Sequence, residues 1–240
     1  MADELRERIA DVSRDFRDVL DLGGPMPVWP GAVRAALAPE PGGIVADEDR
    51  LPFADASFEL VMCAGNLATV SDLPGALAQI RRVLRPDGLF VAAFVGGMTL
   101  VELRAALLTA EADITGGAAA RLAPMVEASA AAGLLQRAGF AMPVADVERV
   151  CVRYAGLFAL LDDVTAMGAR SVLHSRSALR RDVLASAAAR FAEAADPDGK
   201  TSVTAEIIYV TGWAPGPGQP VPLAPGSATT SLAKALGSRI

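Results

Sequence analysis

The 240-residue sequence has very few of the residues that usually carry polar catalysis. It contains one histidine, His174, and two cysteines, Cys63 and Cys151, each inside an apolar run. We therefore expect two buried, reduced thiols, no zinc site, and none of the common pairs of nucleophile and base. His174 lies in a polar stretch, which favours an exposed residue between helices over a catalytic one.

Lysine is almost absent too, and the basic residues form no stripe. The only lysines are Lys200 and Lys234, the arginines are scattered along the chain, and the net charge is −6. A polyanion is attracted by clustered positive charge, so we do not expect nucleic acid as a ligand.

Long hydrophobic runs are missing, although hydrophobic residues make up 52% of the chain. No segment reaches the roughly 18 consecutive apolar residues that a spanning helix needs. The charged amino-terminal segment also lacks the apolar centre of a secretory signal. We predict no membrane span and a cytoplasmic location, and a chain this apolar is expected to form a large core rather than remain disordered.

Hydrophobic periodicity predicts alternating strands and helices. Strands are predicted at 18–22, 57–64 and 89–95, within 140–154, and at 201–213. Helices are predicted at 4–16, 73–84, 99–110, 125–138, 157–167 and 177–195. Residues 32–38 are predicted to form two helical turns and 42–47 a strand at the edge of the sheet. Asp72 is a candidate N-cap for the helix at 73–84, which has Pro74 in its first turn.

This order predicts an α/β fold, a Rossmann-like doubly wound sheet that is mostly parallel and has an antiparallel last strand. We expect one domain over residues 1–240, with a helical insertion at 155–198 and a Pro/Gly-rich tail at 214–240. Ligands of such sheets bind beyond the carboxyl ends of the strands. The candidate site loops are therefore 23–31, 46–53 and 64–71.

Three segments together resemble the class I S-adenosylmethionine (SAM) methyltransferases, in particular those of type 11. They are VLDLGG at 19–24, ADEDRLPFADASFELV at 46–61 and LRPDGLFVAAF at 84–94. In that family the glycines let the backbone approach the amino-acid end of the cofactor, and an acid bonds the adenine amine. The cofactor-binding residues implied by the resemblance are Asp21, Gly23, Gly24, Asp47, Glu48, Leu51 and Asn66. No side chain is identified as catalytic.

The remaining sequence is similar to one branch of this superfamily. The segments concerned include DLPGALAQIRRVLRPDG at 72–88, GGMTLVELRAALLTAE at 96–111, GLFALLDDVTAMGA at 156–169 and GSATTSL at 226–232. They resemble the family of the mitochondrial complex I assembly factor with a methyltransferase fold and its bacterial relatives. The biotin-pathway carrier-protein methyltransferases are less similar. That assembly-factor family is associated with arginine hydroxylation, so the fold does not settle the reaction.

The first half departs from the methyltransferase pattern. Pro25, Pro27 and Pro30 follow the two glycines, and proline has no N–H to offer a carboxylate. Only 22 residues separate Gly24 from Asp47. One helix, one strand and two turns already need about that many. We predict that one strand and one helix are missing, and the acid that normally binds the ribose has no counterpart.

Two functions remain open, and a third is weaker. In the first, the chain is a SAM-dependent enzyme in which Asp21, Gly23, Asp47 and Asn66 hold the cofactor. In the second, it is a non-catalytic assembly or binding protein whose helical insertion and tail contact a protein partner. The third is a nicotinamide oxidoreductase, but DLGGPM at 21–26 lacks the required glycine spacing.

Overall fold

The chain folds around a seven-stranded sheet with the order β3-β2-β1-β4-β5-β7-β6. The computed structural model describes all residues except 25, 40, 170–172, 174–176, 221–226, 228–230 and 232–240. His174 and most of the predicted tail at 214–240 lie outside the described residues. The strands are Val19–Leu22 (β1), Val33–Ala36 (β2), Ile44–Val45 (β3), Phe58–Ala64 (β4), Leu84–Val95 (β5), Ala141–Tyr154 (β6) and Thr201–Trp213 (β7).

The strand directions confirm the predicted doubly wound sheet. β1 pairs in parallel with β2 and β4, β2 with β3, and β4 with β5. β7 is antiparallel to both of its neighbours, β5 and β6. The predicted antiparallel last strand is therefore also confirmed.

The helices cover both faces and one end of this sheet. They are Ala2–Ala10 (α1), Leu73–Val83 (α2), Val101–Thr115 (α3), Ala128–Arg137 (α4), Leu157–Ala166 (α5) and Arg181–Glu193 (α6), with a short 3₁₀ turn at Asn66–Ala68. The predicted cap of α2 is confirmed, since the Asp72 carboxylate accepts a hydrogen bond from the Gly75 N–H at 2.9 Å. Among the described residues, no helix is long and apolar enough to cross a membrane.

The apolar run of β4 shows how the core is divided. Val61 and Cys63 belong to the cluster that packs under α2 and α4. Leu60 and Met62 point to the opposite face and pack with residues of α1. A strand buried on both faces needs apolar residues at successive positions, which explains the apolar run at 60–64; Glu59, just before it, is only partly buried. A third cluster joins α3, α5 and α6 at the end of the β6–β7 hairpin.

The prediction of a missing strand is wrong, as is the prediction of helical turns at 32–38. Residues 33–36 form β2, whose Val33 is the register partner of Leu20 in β1. The two-residue strand β3 then pairs with β2. These two strands need only six residues. The short segment between β1 and β4 therefore keeps its strands and lacks helices, since the described part of 23–57 contains none.

The prediction of two buried thiols holds for Cys63 and is wrong for Cys151, which is exposed. Cys151 lies on β6, an edge strand that pairs with β7 alone among the described strands. Side chains on an edge strand lack cover on one flank, and much of this strand is exposed. The apolar sequence around Cys151 therefore reflects strand propensity rather than burial.

Candidate functional site

The predicted site residues lie at the carboxyl ends of three parallel strands. Asp21 and the two glycines belong to the end of β1, Asp47 and Glu48 follow β3, and Asn66 follows β4. Glu48 is almost fully buried, whereas Asp47 is exposed. Leu51 is buried in the main core, so it packs inside the molecule and does not wall an open surface.

Gly23 and Gly24 are required by their backbone conformation and by their neighbours. Their φ angles are +67° and +82°, in the region that side chains disfavour. A Cβ atom on Gly23 would lie 1.6 Å from Nδ2 of Asn66, and one on Gly24 would lie 2.6 Å from the carbonyl oxygen of Ala64. The absence of side chains at these glycines therefore leaves room for Asn66 and for the carboxyl end of β4.

Asn66 links the glycine loop to the loop after β3. Its Oδ1 accepts a hydrogen bond from the Gly24 N–H at 2.7 Å. Its Nδ2 donates to Oε1 of Glu48. The Asn66 side chain thus satisfies the backbone N–H of Gly24 and one oxygen of the buried Glu48 carboxylate. Three of the predicted residues are brought together in this way, and Asp47 is not among them.

Asp21 is joined to a residue that the sequence did not reveal, Arg34. Asp21 is fully buried, and its Oδ2 accepts hydrogen bonds from the Val28 N–H at 2.6 Å and from Arg34 Nη1 at 3.0 Å. Arg34 also donates to the carbonyl oxygens of Met26 and Gly24. Asp21 and Arg34 are register partners on adjacent strands. The sequence predicts helical turns at 32–38 and therefore does not indicate that these two residues lie side by side.

The residues present do not fit the amino-acid and ribose parts of SAM. The Gly24 N–H is bonded to Asn66, and the Gly23 N–H donates to the carbonyl oxygen of Ala35 at 2.6 Å. In the described part of 23–57, no helix begins that could present free N–H groups to an anion. The residue that follows β2, Leu37, is exposed and apolar where the ribose acid is expected. Asp47, the predicted adenine-binding acid, is exposed.

Cys63 lies behind this network and is not available as a nucleophile. Burial raises the pKa of its thiol to about 12, and the nearby negative charge of Glu48 adds to the increase. The reactive form of cysteine is the thiolate. Cys63 therefore stays protonated at neutral pH. Within the described part of the chain, no three His, Cys, Asp or Glu side chains are grouped to hold a metal ion.

Comparison with known proteins gives a consistent family relationship. A family model described as a methyltransferase domain matches residues 28–92. The zebrafish protein named arginine-hydroxylase NDUFAF5, mitochondrial, is 40% identical over 192 residues, covering 79% of this chain and 60% of that protein. Its rat counterpart is 35% identical over 254 aligned residues, covering 95% of this chain and 73% of the rat protein. The chain thus spans well under the full length of both relatives.

A second group of relatives consists of malonyl-[acyl-carrier protein] O-methyltransferases. The one from Laribacter hongkongensis is 34% identical over 189 residues, covering 77% of this chain and 61% of that protein. Among solved structures, the YcgJ protein of Bacillus subtilis has a TM-score of 0.59 at 14% identity and covers 90% of this chain. The match spans 99% of the YcgJ chain. At that identity the structural match establishes the fold alone.

Proposed function

Because the chain belongs to the NDUFAF5 arginine-hydroxylase family and has a class I methyltransferase fold, we propose that it is a methyltransferase-like protein with weakened SAM binding. In this proposal it acts mainly by binding a protein partner. One observation carries the proposal: most polar groups at the cofactor edge are bonded to each other, through Asn66 and through Arg34.

The energetic argument compares a ligand with the groups it would replace. A carboxylate ligand at Gly24 must displace Asn66 Oδ1, and Asn66 is also the partner of the buried Glu48. A buried polar group that loses its partner costs about 1–3 kcal/mol, and a charged one costs more. Such a penalty subtracts directly from the binding free energy of SAM and weakens its affinity by roughly tenfold for each 1.4 kcal/mol.

Calorimetry with SAM and with S-adenosylhomocysteine tests this proposal. We expect no saturable heat with ligand at millimolar concentration, and no rise in melting temperature. An active methyltransferase measured in the same buffer is the positive control. Saturable binding with a micromolar Kd, accompanied by a rise in melting temperature, would contradict the proposal.

The helical insertion at 155–198 is the surface that we propose for the partner. Phe158 is 58% exposed on α5, and Met167, just beyond this helix, is 68% exposed. Asp162 and Asp163 are exposed on the same helix. Aromatic and methionine side chains are enriched in protein interfaces, and exposed carboxylates suit a partner that presents an arginine. The name of the rat relative, an arginine hydroxylase, agrees with that choice of partner.

A pair of surface variants tests the partner surface. In a tagged pull-down from native extract, Phe158→Ser should reduce the recovered amount of a stoichiometric partner at least fivefold. The matched control is Leu108→Ser, which removes an apolar side chain that is 41% exposed on α3, outside the insertion. Equal recovery with both variants, or a chain that is always alone, would refute this surface.

A second candidate function, SAM-dependent methyl transfer, is favoured by two carboxylate observations. Asp47 is exposed, and it stands where the class I methyltransferase pattern has the acid that bonds adenine. Oδ1 of the buried Asp21 has no hydrogen-bond partner among the described residues. Methyl transfer depends mainly on positioning of the two reactants. This candidate would be supported over the first if the unmodified chain releases S-adenosylhomocysteine and Asp47→Asn lowers the rate of release at least tenfold.

A further inference from the structure

A large cavity opens beside the cofactor edge. It has a volume of about 470 Å³ and lies between α3, α5 and the segment around residues 121–125. Its lining includes Ala68 and Thr69, which follow β4, and Val95, the last residue of β5, on the same edge of the sheet as Asn66. Native cores contain few voids larger than a water molecule, whereas ligand pockets typically measure 300–1,000 Å³.

The side chains that form the walls are almost entirely aliphatic. Leu103 and Leu107 lie one helical turn apart on the same face of α3, and Leu100 immediately precedes this helix. Leu161 and Val164 form the opposite wall on α5. No aromatic side chain lines the part of the cavity that the structure describes. The walls therefore suit hydrocarbon and offer no ring on which a planar aromatic ligand could stack.

The charge in the wall is already balanced. Arg121 is the only charged residue that lines the described part of the cavity. Its guanidinium donates to both carboxylate oxygens of Glu111 and to the carbonyl oxygen of Ser177. A charged ligand buried in the cavity would need a partner of its own. The part of the ligand that enters this space is therefore uncharged.

The size of the cavity is that of a small-molecule pocket. Its volume of about 470 Å³ lies within the range of 300–1,000 Å³ that such pockets typically have. A peptide helix needs several turns to bury its apolar face, whereas a narrow hydrocarbon chain is buried along its whole length in a pocket of this size.

We infer that this cavity binds the neutral hydrocarbon chain of a small-molecule ligand. The inference goes beyond the proposed function, because it requires neither SAM nor a protein partner. Its failure and that of the proposed function are therefore measured separately.

Binding of decanol to the full chain tests the inference. Without SAM, calorimetry should show one saturable site with a negative heat-capacity change, the mark of apolar burial. The melting temperature should rise with decanol concentration. Naphthalene serves as the planar aromatic comparison and should bind at least tenfold more weakly.

Two variants on α5 locate the site. Val164→Phe fills the cavity and should weaken decanol binding at least tenfold, whereas Ala166→Phe adds the same ring at an exposed position outside the lining and should change it less than twofold. Ala123→Phe is a second filling variant, and circular dichroism checks the fold of all three. Absence of saturable decanol binding, unchanged affinity in both filling variants, or tighter binding of naphthalene would each overturn the inference.

Discussion

The two halves of the ligand-facing edge differ in how the chain fills them. The half formed by the ends of β1, β2 and β3 is closed by bonds among its own polar groups, from Glu48 through Asn66 to Gly24 and from Asp21 to Arg34. The half between α3 and α5 contains an open apolar cavity. One edge of the sheet thus has its polar groups paired within the chain on one side and an open apolar cavity on the other.

Physical chemistry explains why only the polar half has to be closed. A buried carboxylate or N–H group without a partner is costly, so the protein must supply a substitute if a ligand no longer does. An apolar cavity makes no such demand, because its walls can remain dry and empty. The two halves are therefore expected to respond differently to substitution.

The largest expected effect comes from Arg34 in the closed half. Arg34→Met keeps much of the side-chain volume but leaves the buried Asp21 carboxylate without its cation. Breaking a buried pair by removing one partner costs about 3–5 kcal/mol. We expect a loss of this size in the free energy of unfolding, measured by urea denaturation at neutral pH.

The double variant Asp21→Asn with Arg34→Met is the control for that measurement. It removes both charges, so part of the lost stability should return if the unpaired carboxylate causes the damage. A loss below about 1 kcal/mol in Arg34→Met alone would mean that the pair does not hold the edge closed.

A smaller effect is expected from Gly23, and Gly31 provides a matched comparison. Both residues have positive φ, +67° and +79°, so alanine at either should cost roughly 1–2 kcal/mol from backbone strain. Only at Gly23 does the added Cβ meet Asn66, because nothing lies within 4 Å of the corresponding position at Gly31.

The difference between Gly23→Ala and Gly31→Ala in thermal or urea denaturation therefore isolates the displacement of Asn66. We expect Gly23→Ala to be the less stable by about 1–2 kcal/mol, the cost of a lost buried hydrogen bond. Equal losses would show that Asn66 moves freely, and the closed half would then be open to a ligand after all.

The sequence predicts the strongly patterned elements well. The apolar run 60–64 of β4 and the capped start of α2 are both found in the structure, because each is determined by local residues. The strand predicted at 42–47 is also found, as the two-residue β3. β2 is too short to show a period, and only its pairing beside β1 defines it. The pattern of residues 32–38 therefore predicts helical turns, and the sheet is predicted to lack a strand that it contains.

The candidate site is predicted less completely, for the same reason. The glycines and Asn66 follow recognisable motifs, but a motif does not show whether a ligand or another side chain fills the space they leave. Arg34 acquires its role from strand register alone. The cavity likewise depends on how α3 packs against α5, which no spacing within either helix reveals.

The smallest expected effect tests the open half through the wall of its cavity. Hydrogen bonds from Arg121 hold the pKa of the Glu111 carboxyl below its usual 4.5. A lowered pKa stabilises the native state above pH 4.5, and that stabilisation is lost as the pH falls through the lower folded-state value. The melting temperature of Glu111→Gln should therefore lie below that of the unmodified chain at neutral pH, and the gap should close in acid.

Asp113→Asn is the control on the same helix. Asp113 also pairs with an arginine, Arg190, but its side chain is 56% exposed, against 9% for Glu111. An exposed pair contributes little because water screens it and both side chains lose freedom. A pH-dependent gap as large for Asp113→Asn as for Glu111→Gln would show that general surface charge, and not the buried cavity wall, sets the acid response. If the gap is confined to Glu111→Gln, the Glu111–Arg121 ion pair stabilises the open half. Both halves then contain stabilising polar pairs, and they differ in that only the open half leaves space for a ligand.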